Sequence, residues 1–274
     1  MTIKANIMNG TDSRTEGAVG APARRWPIIV ARVLTIGLGL AAVAWAALIA
    51  PLALRQATMV PLGIKIIAGE RFKAGVLEQY LAGAYAGAAD GLCQPLALRT
   101  LAVARLRLAE EAISDGNADL ITRTQSEGEA ALRRSLFCMP TDAFLWFALF
   151  WIENSMRGLQ EKNFELLRLS YRTGPNEGWL AIRRNRLAVA LYPGLPADLK
   201  QAAADEFAQL VRSDLITEAA EIFAGPGTQV RSILLQRLQG IDEKKLRFLS
   251  ILLAGKGIDD VFPEFDTSSR FRRR

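Results

Sequence analysis

The sequence predicts an all-α protein: one membrane-spanning helix near the N-terminus, followed by a long train of helical hairpins. Three observations predict it. An uncharged apolar stretch occupies residues 33–54, bounded by Arg32 and Arg55. Beyond it, apolar residues recur at helical spacing between short turns bearing Gly or Pro, and no segment sustains the alternation of a half-buried strand. The only two cysteines stand almost equally far on either side of the turn at Gly116.

The stretch 33–54 has roughly 22 residues, which at about 1.5 Å per residue reach about 33 Å, against a hydrocarbon core of about 30 Å. A cleaved signal peptide is the competing reading, because Ala44-Trp45-Ala46 sets small residues at the spacing of a cleavage site. The apolar run continues to Leu54 and the basic segment before it is long for a signal, so the anchor reading is preferred. Within the span Ala42, Ala46 and Ala50 recur every fourth residue beside Gly37 and Ala41, a spacing that lets a second helix come close. Arg24, Arg25 and Arg32 crowd the N-terminal flank, whereas nothing basic follows Arg55 until Lys65. The expected organisation is a cytoplasmic, largely disordered segment 1–32, a bacterial inner-membrane anchor 33–54, a helical-repeat domain 55–265 facing the periplasm, and a basic disordered tail 266–274.

Segments 95–114 and 118–137 read as an antiparallel helix pair joined at Asp115-Gly116-Asn117. Equal distance from the turn puts Cys93 and Cys138 at one end of that pair. A disulfide there closes a loop of about 45 residues, worth about 4 kcal/mol by loop entropy, and persists only in an oxidising compartment. Two buried free thiols are the alternative. Later helices are expected over 142–157, 163–173, 177–192, 198–212, 215–223, 229–238 and 243–253. The aromatic run 144–152 ends at Glu153 after about nine apolar residues, short of the roughly 20 a membrane span needs, and reads as a core helix.

Laid on itself at an offset of about 35, the chain matches Pro140-Thr-Asp-Ala-Phe-Leu-Trp-Phe-Ala148 with Pro175-Asn-Glu-Gly-Trp-Leu-Ala-Ile-Arg183. Proline, cap residue, acid, small residue, aromatic and leucine follow in order, close to the 34-residue period of tetratricopeptide repeats. Over about 92–192 the chain resembles that class of helical solenoids, in which each unit is a helix pair with an aromatic near the start of the first helix and a proline near the end of the second. Trp146 with Leu149 fits the first position and Pro175 the closing proline. Phe150 stands where a small residue is usual, Leu166 and Leu169 replace other core residues, and the first hairpin is longer than the standard unit. The resemblance implies a tetratricopeptide-like α-solenoid whose extended surface binds partners. The segment Ser170-Tyr-Arg-Thr-Gly-Pro-Asn-Glu-Gly-Trp179, with Arg183, Arg184, Asn185 and Arg186, resembles divergent repeat domains of bacterial envelope-polysaccharide assembly proteins.

The absence of histidine removes the side chain best suited to proton transfer near neutrality, the usual nucleophile–histidine pairs, and the commonest transition-metal ligand. Two thiols give zinc too few ligands. Glu110-Glu111 and Asp259-Asp260 are sequence neighbours that point in different directions on a helix. Gly225-Pro226-Gly227 lacks a phosphate-loop lysine and reads as a turn. Gly83, Gly87 and Gly91 read as a close-packing helix face or a frayed helix end. No catalytic residue, cofactor or metal is expected.

The most suggestive polar group is Arg183, Arg184 and Arg186 with Trp179 and, one unit back, Arg168 and Arg172. Guanidinium groups fork onto carboxylates or phosphates and an aromatic stacks on a sugar face, which points to a protein partner or an acidic polysaccharide. The plainer reading lays Arg183 and Arg186 over the core, paired with Glu165 or Glu177. The net charge is +6, and Arg270-Phe-Arg-Arg-Arg274 would touch anionic headgroups or polysaccharide. Nucleic acid is not expected, because basic and acidic residues are interspersed and the domain faces away from it. The expected function is a non-catalytic scaffold or adaptor in envelope polysaccharide synthesis or export. One alternative is an enzyme, or its regulatory subunit, acting on glycan or lipid-linked substrates with carboxylates; it predicts a deep pocket with two carboxylates of raised pKa. Another is a cytoplasmic-facing adaptor of inverted topology, which predicts free cysteines.

Overall fold

A computed structural model describes residues 26–73, 75–88, 93–259 and 261–262, and every regular element among them is helical. The arginines Arg24 and Arg25, Gly91, Asp260 and the arginine-rich C-terminal end lie outside the described residues. The chain divides after Arg55 into two compact units.

Helix α1 (Trp26–Ile67) begins in the first unit. Its segment Ile29–Ala50 is long and apolar enough to cross a membrane, and none of it is buried against the protein. That window starts earlier than 33–54 and takes in Arg32, whose long stem can carry its charge toward headgroups from near a span end. The Thr35 hydroxyl donates to the carbonyls of Ala31 and Arg32 at 2.9 and 3.0 Å, which satisfies a polar group on an otherwise apolar surface. The helix does not stop at Leu54 but continues through Pro61 to Ile67.

The second unit holds the end of α1 and helices α2 (Val76–Ala88), α3 (Pro95–Asp115), α4 (Ala118–Cys138), α5 (Ala143–Arg157), α6 (Phe164–Thr173), α7 (Gly178–Ala190), α8 (Ala197–Arg212), α9 (Ile216–Ala224), α10 (Arg231–Arg237) and α11 (Glu243–Ala254). Short 3-10 turns precede α6 and α10 and follow α7. Many neighbours in sequence are neighbours in space: α3 packs along α4, α4 on α5, α5 on α6, α7 on α8 and α8 on α9, while α10 returns to α8 and α11 to α9. α2, the helix that the apolar periodicity leaves out, packs on α3 and buries Leu77 and Leu81.

Local chemistry explains the hairpin ends. Gly116 takes φ 76°, a left-handed conformation that ends α3 without a Cβ clash, and the Asn117 side chain accepts from the Leu120 N–H at 3.1 Å to start α4. At the other end of the pair a disulfide joins Cys93 to Cys138, with Cα atoms 5.6 Å apart. Asp142 caps α5 by accepting from the Leu145 N–H at 3.1 Å and also receives Arg99 Nε at 2.6 Å. The repeat at an offset of about 35 lands on equivalent places, because Asp142 and Glu177 are the cap residues immediately before α5 and α7. Only the shorter acid closes a side-chain cap bond. The paired aromatics of the two copies, Phe144 and Trp179, meet with ring centroids 5.4 Å apart.

The apolar run of α5 is core, as its length predicts: Leu145, Phe150 and Ile152 are fully enclosed. Its single acid, Glu153, is also buried and is held by Arg133 and Arg157, which in turn grip Glu129 at 2.9 and 3.0 Å. Burial pushes the Glu129 carboxyl up, but the bonds from Arg133 and Arg157 outweigh it and hold the group below its ordinary range. This four-residue network fastens α4 to α5 and gives a buried carboxylate the partners it requires.

Candidate functional site

Helices α3, α5 and α7, with the residues ending α1, line a half-open cavity of about 550 Å³. Its floor is apolar: Val103 and Leu106 from α3, Phe144, Phe147 and Trp151 from α5, and Ile66. Its charged lining is unequal, since Arg107, Arg183 and Arg186 are met by Glu110 alone. Such a cavity has the size and apolar character of small-molecule sites, with few polar groups to fix orientation.

Each arginine is held differently. Arg107 is tied to its own helix, to Glu110 at 3.2 Å and Glu111 at 2.9 Å. Arg183 donates to the carbonyl of Ile67 and lies 5.9 Å from the centroid of the Trp179 ring, so hydrogen bond and ring together fix it at the wall. Arg186 is exposed and makes no hydrogen bond or ion pair among the described residues. Its charge reaches Glu221, whose carboxyl sits below its ordinary range, first through a hydrogen bond from Lys256 and to a lesser degree through Arg186.

The expected arginine cluster is thus divided among three settings. Arg183 and Arg186, with Trp179 beside Arg183, gather at the cavity. Arg168 forks onto Asp198 at 2.6 and 3.1 Å, and Arg172 pairs with Glu165 at 3.0 Å. The Arg168 bond holds the Asp198 carboxyl below its usual range. The pairing of Arg183 and Arg186 with Glu165 or Glu177 does not occur, because Glu165 is taken by Arg168 and Arg172 on the preceding helix.

Arg184 points the other way and is wholly buried, 0 % exposed. Its guanidinium donates to Glu206 Oε1 at 2.6 and 3.0 Å, to the Ser170 carbonyl and hydroxyl at 2.7 and 3.0 Å, and to the Gly174 carbonyl at 3.0 Å. It also lies 4.2 Å from the centroid of the Tyr171 ring. The Ser170 hydroxyl passes the connection on by donating to the Ala143 carbonyl at 2.9 Å. One side chain therefore ties α6, the turn after it, α7 and α8 together, with α5 reached through Ser170. Burial pushes the Glu206 carboxyl up against the pull of Arg184, and burial together with the Glu206 charge drives the Tyr171 hydroxyl well above its ordinary range. Among the described residues neither the Tyr171 hydroxyl nor Glu206 Oε2 completes a hydrogen bond. Ser170, Tyr171, Gly174 and Arg184, four residues of the segment 170–186, belong to this buried node.

Arg107, the apolar floor and the Ile67 carbonyl carry no mark in the sequence. They come from three helices and a helix end, and only tertiary packing unites them. Among the described residues no group of three or more potential ligand side chains is placed to hold a metal ion. No known protein family, curated protein or solved structure matches the chain.

Proposed function

We propose that this protein is a membrane-anchored, non-catalytic scaffold that displays stacked helical hairpins outside the cytoplasm to bind protein partners, within envelope polysaccharide synthesis or export. The observation that carries the reading is the Cys93–Cys138 disulfide, following an apolar helix of membrane-spanning length in the chain. Disulfides persist in oxidising compartments, and the flanking arginines favour the matching orientation. A surface for partners is supplied where the disulfide ties the ends of α3 and α4: Leu96 and Phe137 are both exposed there, Phe137 at 86 %. Large apolar side chains left in water are a common mark of protein contact. The main cavity carries one carboxylate and three arginines, equipment for binding rather than for paired acid–base work.

Maleimide mass-shift of Cys93 and Cys138 in intact cells, with and without prior reduction, tests the compartment. The expected result is labelling only after reduction; free thiols throughout would transfer the domain to the cytoplasm. A photo-crosslinking amino acid in place of Phe137 is expected to capture a protein of the cell envelope, and capture of cytoplasmic proteins alone would overturn the assignment.

A further inference from the structure

We propose that the cavity between α3, α5 and α7 binds a single-chain, lipid-like anion, its apolar body on the Phe147 and Trp151 floor and its phosphate or carboxylate head between Arg183 and Arg186. The proposal stands apart from the scaffold reading, since either one holds without the other.

Three features point to this ligand class. The volume of about 550 Å³ lies within the range of small-molecule sites. The floor is apolar and partly aromatic, so it gains by covering hydrocarbon and offers a sugar few hydrogen-bonding groups. The charge at the wall is one-sided: Glu110 is engaged by Arg107, leaving Arg183 and Arg186 facing the cavity with no carboxylate of their own on its lining. Those two arginines lie three residues apart in α7, hence on one face of the helix. Arg183 is already fixed by the Ile67 carbonyl and Trp179, and Arg186 has guanidinium donors without a partner among the described residues. Two guanidinium groups on one helix face, both lining a pocket with an apolar floor, match a ligand with one anionic end, because the head gains charge-assisted hydrogen bonds while the tail leaves water.

The test uses the full chain in phosphatidylcholine nanodiscs, titrated with octyl phosphate below its micelle threshold, with empty nanodiscs as the blank. Octanol and inorganic phosphate separate the two halves of the ligand. The expected result is saturable binding of octyl phosphate, with octanol and inorganic phosphate each at least about tenfold weaker. Arg186→Glu should weaken octyl phosphate by about tenfold or more while leaving the thermal midpoint close to that of wild type, because Arg186 makes no hydrogen bond or ion pair among the described residues and reaches Glu221 only through its charge. Ala190, exposed at the cavity wall, carries a photo-crosslinker in a second arm performed in cells. An adduct of lipid mass supports the proposal. It is overturned by octanol binding as tightly as octyl phosphate, by inorganic phosphate accounting for all the affinity, by no binding above the blank, by an unchanged affinity in Arg186→Glu, or by a protein-sized adduct at position 190.

Discussion

Replacing Arg184 by methionine tests the buried node most directly. The substitution keeps much of the apolar stem but removes every donor that Glu206, Ser170 and Gly174 receive from this residue. Breaking a buried ion pair from one side costs about 3–5 kcal/mol, because the surviving charge has neither partner nor water. For a unit of roughly 200 residues that lowers the melting midpoint by roughly 6–20 °C. The pH dependence identifies the mechanism. Glu206 is already raised by burial, and loss of Arg184 removes the positive charge that most strongly opposes that rise. A carboxyl whose folded pKa lies above the unfolded value, about 4.3, binds an extra proton on folding, so stability falls as pH rises between the two values, by up to about 1.4 kcal/mol per pH unit. Arg184→Met should therefore regain stability as the buffer is taken from pH 7.5 to 5.5, whereas Arg184→Met with Glu206→Met should lose that acid rescue. The double variant should also be more stable than Arg184→Met at pH 7.5, though below wild type, since the Ser170 and Gly174 carbonyls still lack their donor. Tryptophan fluorescence during thermal unfolding of the full chain measures all three proteins. A single-variant cost under about 1 kcal/mol, or a defect that does not change with pH, would refute the reasoning.

Three further expectations follow from local geometry. Cys93→Ser should remove about 4 kcal/mol, the loop-entropy value for this separation, and the variant's midpoint should no longer respond to reductant while that of wild type does. Gly174→Ala should cost about 1–3 kcal/mol by overpacking, because a Cβ built there lies 2.4 Å from the Ala143 Cβ and 2.8 Å from Glu177 Oε1; equal midpoints in denaturant for variant and wild type would contradict this. Asp142→Ala should cost about 1–2 kcal/mol through loss of the α5 cap and the Arg99 pair, and Asp142→Asn, which keeps the cap acceptor, should recover most of it in the same titration.

The helices are readable where their ends carry local chemistry. Asn117, Asp142 and Asp242 each accept a backbone N–H near the start of their helix, and Gly116 marks a turn by its own conformational freedom. These signals span three or four residues and need no knowledge of the rest of the chain. The cysteine pairing is readable for a related reason, since two straight helices and one tight turn fix which residues share an end. α2 is harder to read because its Ala- and Gly-rich sequence has few large apolar residues to mark a buried stripe. The end of α1 is hidden because Arg55 closes the uncharged apolar stretch without ending the helix.

The site is only half readable, and α7 shows why. Arg183, Arg184 and Arg186 look alike as a basic run, but at about 100° per residue Arg183 and Arg186 share a face while Arg184 turns toward the side of Leu180, Ala181 and Ala188, which are buried. That angular offset is present in the sequence and separates a wall residue from a core residue. The acid that receives Arg184 is not marked in the same way, for Glu206 lies one helix further on and resembles any other acid in α8. The cavity floor likewise draws Val103, Phe147 and Leu187 from separate helices, and no spacing within one of them announces the enclosure.

The bond between Cys93 and Cys138 also decides how this chain carries a mechanical load. Tension entering at Cys93 from the N-terminal side leaves at Cys138 through sulfur, so the enclosed pair α3–α4 is bypassed. The bypass withholds 45 residue steps, or about 150 Å of contour length, from any stretching of the backbone. Under pulling, only the segments outside the closed loop bear the force, and a reductant would make the stored length available once α3 and α4 unfold.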